Sequence, residues 1–386
     1  MKAVLFANSD WYLYNFRLNL AAALCDAGHQ VLLVSPPGPY GEKLQALGFR
    51  WIAAPMRRRS LNPFSELGLV LWLWNLLRRE RADLVHGFTI KCAVYGSLAG
   101  RLAGVPARVS AVTGMGYVFT SDATKARLLR PLVRAVMRMA FGGPGVRLIL
   151  QNADDKKLVE QAGIVEPATV RLIAGSGVDC RRFSPDLNRA RASIALRFRV
   201  LLASRMLWDK GIQEFIDAAR QLRAEHRDID FLLAGAPDPG NPASIPETTL
   251  RAWVEEGLVQ WLGHVDDMPA LFHSVDAVVL PSYREGLPKG LVEAAACGLP
   301  LVTTDAPGCR EVVTPEVDGL LVPVRDSVAL ARAIARLQDD PSLAARLGAA
   351  ARAKALANFD ARIIVWRTID VYRELSQKRK RQLWAH

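Results

Sequence analysis

The chain has 386 residues, two to three times the usual single-domain length, so two domains of about 150 to 200 residues are expected and one small binding module is excluded. With 51% hydrophobic and 23% charged residues and only modest Gly and Pro, the composition is that of a packed globular protein rather than a disordered or fibrous one. The net charge of +12 is uneven: residues 1–180 carry 22 basic and 12 acidic side chains and the remainder 28 and 26, so the first half suits a phosphate-rich or anionic-membrane partner, or is simply Arg-rich with no partner.

From the N-terminus, KAVLFA reads as a buried strand, SDWYLYN as a loop, FRLNLAAALCDAG as an amphipathic helix and HQVLLVS as a second strand, the start of a β-α-β unit. RWIAAP, ADLVHGF, ARVSAVTG and VRLILQN are further strands, with segments of helical length between them. A polar, turn-rich RRFSPDLNRARA is the predicted linker. A second series follows from about residue 198: FRVLLASR, IDFLLAG, LVQWLGHV, DAVVLPSY, LPLVTTD and GLLVPV, and residues 327–386 read as helices ending in QKRKRQLWAH. Short apolar strands alternating with helices imply parallel sheets covered on both faces. The expected architecture is therefore α/β, two tandem Rossmann-like domains facing across a cleft, with boundaries at 1–183 and 184–364.

Five scattered cysteines without a C-x-x-C pair indicate neither a disulfide framework nor a zinc site and fit a reducing cytoplasm. The opening MKAVLFANSD turns polar after six residues, so no secretion signal is expected. Nor is any apolar run long enough to span a bilayer: Ala27 to Gly41 contains three prolines, and GLVLWLWNLL is stopped by Glu66 and Arg78.

Ligands of open parallel sheets bind beyond the carboxyl ends of the strands. The informative stretches are Ser9 to Arg17, His86 to Lys91, Thr113 to Tyr117, Ser204 to Lys210, Gly235 to Asp238, Gly263 to Val265 and Ser282 to Glu293. In the last of these, PSYREGLPKGLVEAAACGLP opens a helix at about Pro288, with Glu285 in the loop and Glu293 in the second turn. The first-turn amides form a ready site for a diphosphate, Glu285 can accept from nearby hydroxyls, and Glu293 from a hydroxyl pair such as a ribose. The competing reading has Glu285 capping the helix and Glu293 merely solvated. Arg205 and Lys210, five residues apart at a strand end, either clamp a diphosphate and absorb the charge of a leaving nucleotide or are two surface cations.

SRMLWDKG, EGLPKGLVE with its E-x(7)-E spacing, and IAGSGVDCRRFSP together resemble the retaining nucleotide-sugar glycosyltransferases of the GT-B fold. DLVHGFTIKCAVYGSLAGRLAGVPARVSAVTGMGYVF is similar to the subgroup that builds capsule, O-antigen and lipid-linked oligosaccharides, in particular to N-acetylgalactosaminyltransferases acting on undecaprenyl-diphosphate sugars. The resemblance implies a UDP-sugar donor and a polyprenyl-diphosphate-linked saccharide as acceptor. It assigns Arg205 and Lys210 to the donor diphosphate and Glu293 to the ribose. Glu285, with the backbone of Gly286, Leu287, Pro288 and Lys289, takes the donor sugar and β-phosphate, and Gly263 and Val265 lie by the base. His86 would touch the donor sugar near the reacting carbon, or else be a tautomer-locked structural histidine. Glu285, His86, Arg205 and Lys210 are thus the expected catalytic set.

The chain departs from a common Gly-Gly pair in the first loop, reading SDWYLYNFR with Asn15 and Arg17 opening the helix. Arg17 suits an acceptor with its own phosphates, or pairs with Asp10. Lys91, Thr113 and Gly114 complete the acceptor side. The resemblance also implies that the helix of about 365–386 packs back on the first domain, and that a front-face displacement operates in which the departing phosphate takes the acceptor proton. No Asp-x-Asp motif ends a strand in the donor half, so no metal or other cofactor is expected.

Residues 124–141 place Arg127, Arg130, Arg134 and Arg138 three and four apart among apolar residues. This is either a basic amphipathic helix for an anionic membrane or an ordinary sheet-covering helix with a solvated Arg face. Trp72, Trp74 and the run Arg57, Arg58 and Arg59 add interfacial residue types. The expected location is cytoplasmic, peripheral on the inner face of a bacterial plasma membrane. A soluble or polysaccharide acceptor is the alternative, and nucleic acid is disfavoured because the cations are not interleaved with aromatics in a recognisable module.

Overall fold

The computed structural model describes residues 1–57, 60, 62–114, 124–186 and 197–383, without side-chain description at 124–129 and 377–383. Residues 187–192 of the predicted linker lie outside them. The chain divides into two compact units, Met1–Ser176 with Arg362–His386, and Gly177–Ala361.

The first unit holds a parallel sheet of β1 (Lys2–Phe6), β2 (Gln30–Ser35), β3 (Arg50–Ala53), β4 (Leu84–Phe88), β5 (Ala107–Val112), β6 (Val146–Leu150) and β7 (Val170–Leu172), in the order β3-β2-β1-β4-β5-β6-β7. Its helices are α1 (Asp10–Phe16), α2 (Leu18–Asp26), α3 (Gly41–Ala46), α4 (Pro63–Arg79), α5 (Ile90–Leu102), α6 (Thr124–Phe141) and α7 (Ala153–Gln161). Strand alternation sorts β1 into two cores: Ala3 and Leu5 pack with Leu13, Leu20 and Leu24, while Val4 and Phe6 pack with Leu69, Leu73 and Leu77 of α4. Strands β4 to β6 are buried at every position and mostly apolar, with His86, Arg108, Ser110 and Arg147 as their buried polar residues.

The second unit holds β8 (Phe198–Ala203), β9 (Ile229–Ala234), β10 (Gln260–Trp261), β11 (Ala277–Leu280), β12 (Leu301–Thr304) and β13 (Leu320–Val322), all parallel, in the order β10-β9-β8-β11-β12-β13. Its helices are α8 (Ile212–Ala224), α9 (Glu247–Glu255), α10 (Met268–His273), α11 (Lys289–Ala296), α12 (Cys309–Val312), α13 (Ser327–Asp339) and α14 (Pro341–Lys354). Helix α15 (Ala361–Leu383) then rejoins the first unit, burying Ile364, Val371, Tyr372 and Leu375 in the core beside β1 and β4. Apolar side chains buried in this way contribute about 1.5–3 kcal/mol each. Glu374 fastens α15 to the sheet, accepting from Arg147 Nε at 3.1 Å and Arg171 Nη2 at 2.7 Å.

Two local expectations are corrected. SDWYLYN is not a loop, because Ser9 Oγ caps α1 by accepting from Tyr12 N at 3.1 Å. Arg17 then sits between α1 and α2 at φ −127°, so neither it nor Asn15 opens the first helix after β1. Strand β7 also goes unforeseen, since three edge residues make no readable apolar run.

Candidate active site

In the second unit the predicted donor residues lie at the carboxyl ends of neighbouring strands. Lys210 closes a 3₁₀ turn, Trp208–Lys210, after β8, and Gly211 follows at φ +72°. A Cβ at Gly211 would fall 2.0 Å from the Pro281 carbonyl oxygen, so only glycine lets this turn press against the loop after β11. The two segments are stitched together by Tyr283 N and Ser282 Oγ, which donate to the Asp209 carbonyl at 2.9 and 3.0 Å. The consequence is a direct ion pair between Lys210 Nζ and Glu285 Oε1.

Glu285 is fixed from a second side. Its N–H donates to the Pro307 carbonyl at 2.9 Å, and Gly308, at φ +82°, lies so close that a Cβ there would be 2.4 Å from the Glu285 carbonyl oxygen. Beneath the loop, Tyr283 Oη donates to Glu214 Oε1 at 2.7 Å and Arg325 lies over the Tyr283 ring at 4.7 Å. Burial, reinforced by the Glu214 carboxylate, pushes the Tyr283 phenol up to about 12, so it remains a donor at neutral pH.

Pro288 caps α11 and is not its first residue, which is Lys289. Glu293 stands in the second turn, 3.5 Å from Lys289 Nζ. Burial raises the Glu293 carboxyl above the ordinary range, opposed by the Lys289 and Arg182 charges. Arg205, after β8, pairs with Asp238, after β9, at 2.8 Å. Gly263 accepts from Gly235 N at 2.6 Å, placing the turn that leads to Val265 beside the same strand ends. A helix N-terminus with Lys289 in its first turn and the Lys210–Glu285 pair on the loop before it is suited to an anionic ligand, and Glu285 and Glu293 to hydroxyls.

In the first unit the prediction for His86 is corrected. It lies within β4, is 1% exposed, stacks against Phe88 with centroids 4.0 Å apart, and its Nδ1 is 2.6 Å from Tyr372 Oη on α15. A ring so enclosed is not available to a sugar. Burial, aided by the Arg17 charge, holds it well below its ordinary pKa and therefore neutral. Lys91 is corrected too, for its ammonium donates to the carbonyls of Arg57 and Ser60 and to Glu66, using all three protons on the protein.

Arg17 is 5% exposed, donates through Nη2 to Tyr12 Oη at 2.8 Å and lies over Phe88 at 4.3 Å. The alternative pairing with Asp10 is not made, because Asp10 accepts from the N–H groups of Trp11, Tyr40 and Gly41. Arg17 has no ion pair among the described residues, and its Nε and the Nε2 of His86 are buried without partners. Asn15 is exposed and donates to the Trp11 carbonyl at 3.0 Å. Thr113 and Gly114 follow β5, the last described residues before 115–123.

Sequence reasoning passed through the Gly235 to Asp238 stretch without singling out Asp238, and missed the Tyr283–Glu214 support and Tyr372. Asp238 had a signal in its strand-end position; the other contacts depend on distant segments meeting.

The family described as "Glycosyl transferases group 1" matches residues 197–340, and "Glycosyl transferase 4-like domain" matches residues 15–174. The chain is 29% identical over 368 residues, 93% of its length and 95% of the relative's, to the N,N'-diacetylbacillosaminyl-diphospho-undecaprenol alpha-1,3-N-acetylgalactosaminyltransferase of Campylobacter jejuni. It is 27% identical over 320 residues, 81% of its length and 80% of the relative's, to an Escherichia coli UDP-Gal:alpha-D-GlcNAc-diphosphoundecaprenol alpha-1,3-galactosyltransferase. The crystal structure of Anabaena HepE with UDP superposes at TM-score 0.78 with 21% identity, covering 97% of this chain and 100% of that one. Sucrose-phosphate synthase of Thermosynechococcus elongatus gives 0.78 at 20% identity, covering 98% and 100%. The chain is therefore a glycosyltransferase with the two-sheet GT-B fold, matched by the group 1 family over residues 197–340 and by the 4-like family over residues 15–174.

Proposed function

We propose that this glycosyltransferase moves a hexosamine or hexose from a UDP-sugar to a saccharide carried on polyprenyl diphosphate, with retention at the anomeric carbon, at the inner face of a bacterial plasma membrane. The acceptor class is supported by the match along nearly the whole chain to an undecaprenol-linked transferase. The donor reading is carried by one observation: Lys210 and Glu285 meet at the N-terminus of α11, with Glu293 one turn on.

In this reading Arg205, Lys210 and the α11 N-terminus hold the diphosphate and absorb its growing charge, and Glu293 binds the ribose. Glu285, with the Gly286 to Lys289 backbone, holds the sugar, and the Gly263 to Val265 turn lies by the base. The bond from the anomeric carbon to the β-phosphate breaks as the acceptor oxygen bonds on the same face, and that phosphate takes the acceptor's proton. The protein contributes positioning and charge, without a metal. Arg17, together with Asn15, Thr113 and Gly114, makes up the acceptor side, where the acceptor's own diphosphate supplies the anion that Arg17 lacks.

The test is nucleotide release from UDP-, GDP- and ADP-sugars, with and without EDTA, using undecaprenyl-diphosphate saccharides as acceptor. Release from one UDP-sugar that requires the acceptor and survives EDTA is expected. Equal release with a water-soluble saccharide would move the acceptor assignment to the soluble class, and loss in EDTA would remove metal independence.

A further inference from the structure

Helix α4 breaks the usual pattern of a surface helix. Its sequence, PFSELGLVLWLWNLLRR, is apolar around nearly its whole circumference, a pattern that ordinarily belongs to a buried helix. Only one side is covered: Leu69, Leu73 and Leu77 are buried against the sheet. On the opposite side Phe64, Leu67 and Leu71 are 84%, 58% and 49% exposed, at helical spacings of three and four. Half-buried Trp74 continues the row, with Arg78 over its ring at 5.3 Å.

The row borders a groove of about 500 Å³ between α4 and α5, lined by Leu67, Val70, Tyr95, Leu98 and Leu102, with Met139 of α6 at its edge. Leu102 and Met139 are themselves 64% and 52% exposed, so the apolar patch is continuous across three helices. Its borders are cationic: Arg101 lines the groove, and Arg78 and Arg79 end α4. The one acid lining the groove among the described residues, Glu66, is already paired with Lys91 at 2.8 Å. No helix among the described residues is long and apolar enough to cross a membrane.

We propose that this face of α4, with the groove beside it, is a membrane-insertion surface that lies in the boundary between headgroups and acyl chains of an anionic bilayer. Phe64, Leu67 and Leu71 enter the acyl region, the groove takes hydrocarbon, and Arg78 and Arg79 meet lipid phosphates. A second copy is the poorer occupant, because a two-fold pairing would gather the cations of both copies at one interface. The Arg134 side of α6 is not itself the inserting face, since Arg134 lies two residues, about 200°, from exposed Leu132. Arg138, one turn on, donates to the Gly163 carbonyl. The inference deepens the lipid-linked acceptor reading by naming the surface that would bring the protein to such an acceptor.

The test is partition of the full chain onto phosphatidylcholine vesicles with and without phosphatidylglycerol, measured by sedimentation. Phe64→Glu with Leu71→Glu should lower partition onto the anionic vesicles at least about tenfold. Because both positions are exposed, thermal midpoint and turnover of a water-soluble acceptor analogue should stay unchanged. A polarity-sensitive fluorophore on Leu71→Cys, in a Cys25→Ser background that removes the exposed thiol, should shift to the blue on binding. Absence of wild-type partition, unchanged partition of the double variant, or loss only in Arg134→Glu would each overturn the inference. So would a dimer in solution that the double variant dissociates. Vesicle binding is read without transfer, so a failed acceptor assay would sink the proposed function while leaving this surface standing.

Discussion

At the carboxyl edge of the second sheet, Lys210 has Glu285, Arg205 has Asp238 and Lys289 has Glu293. At the edge of the first sheet, Arg17 has an aromatic ring and a hydroxyl but, among the described residues, no carboxylate. Paired cations are cheap to hold in place without ligand, and each can turn from its carboxylate to a diphosphate oxygen as the ligand arrives. A buried guanidinium without an anion is costly, offset only in part by the Phe88 ring, and so favours an anion brought from outside. In the proposed reading the two units take phosphate in different ways, one by exchange of partners and the other by an open valence.

The largest effects should come from the paired side. Lys210→Ala and Glu293→Ala should each lower turnover at least about a hundredfold in a nucleotide-release assay, since both are assigned to the donor. Near-wild-type rates in either would remove that residue from the site. On the unpaired side, Arg17→Gln should raise the acceptor KM by about tenfold while leaving the donor KM unchanged. An equal rise in both would contradict the division of labour. Asp238→Asn sharpens the idea of exchange: with the competing charge gone, the donor KM should fall a few-fold, whereas a rise would mean that Asp238 positions Arg205 and does not compete for it.

The smallest effect concerns His86. Its folded pKa is depressed, so below about pH 6.5 the unfolded chain binds a proton that the folded one does not, and stability should decline as the pH falls through that value. His86→Phe should flatten this decline in a thermal-midpoint series across pH 5 to 7. An unchanged slope would mean that other groups control it.

How much of this was legible depended on sequence distance. Strand β11 and all of β1 after Lys2 announce themselves because sheets covered on both faces demand apolar runs, and β4 and β5 do so in spite of His86, Arg108 and Ser110. Arg205, Lys210, Glu285 and Glu293 were legible as candidates because strand ends are where open parallel sheets bind ligands. Helix α1 was hidden by its aromatic residues, which blur the helical period, and by the cap at Ser9, which a loop would also favour. His86 misled because a polar residue near a strand end looks functional. Its partner Tyr372 lies 286 residues away, on a helix whose return to the first sheet no local pattern reveals. Lys91 misled for a similar reason, since Glu66, Arg57 and Ser60 reach it from the neighbouring helix and its approach.

The most direct test of exchange is a calorimetric titration of UDP, in EDTA, into the wild type and into Lys210→Ala. Wild-type binding weakened at least about tenfold by the substitution is the predicted result. No binding to folded wild-type protein, or equal binding to both, would contradict the assignment of this strand edge to the donor.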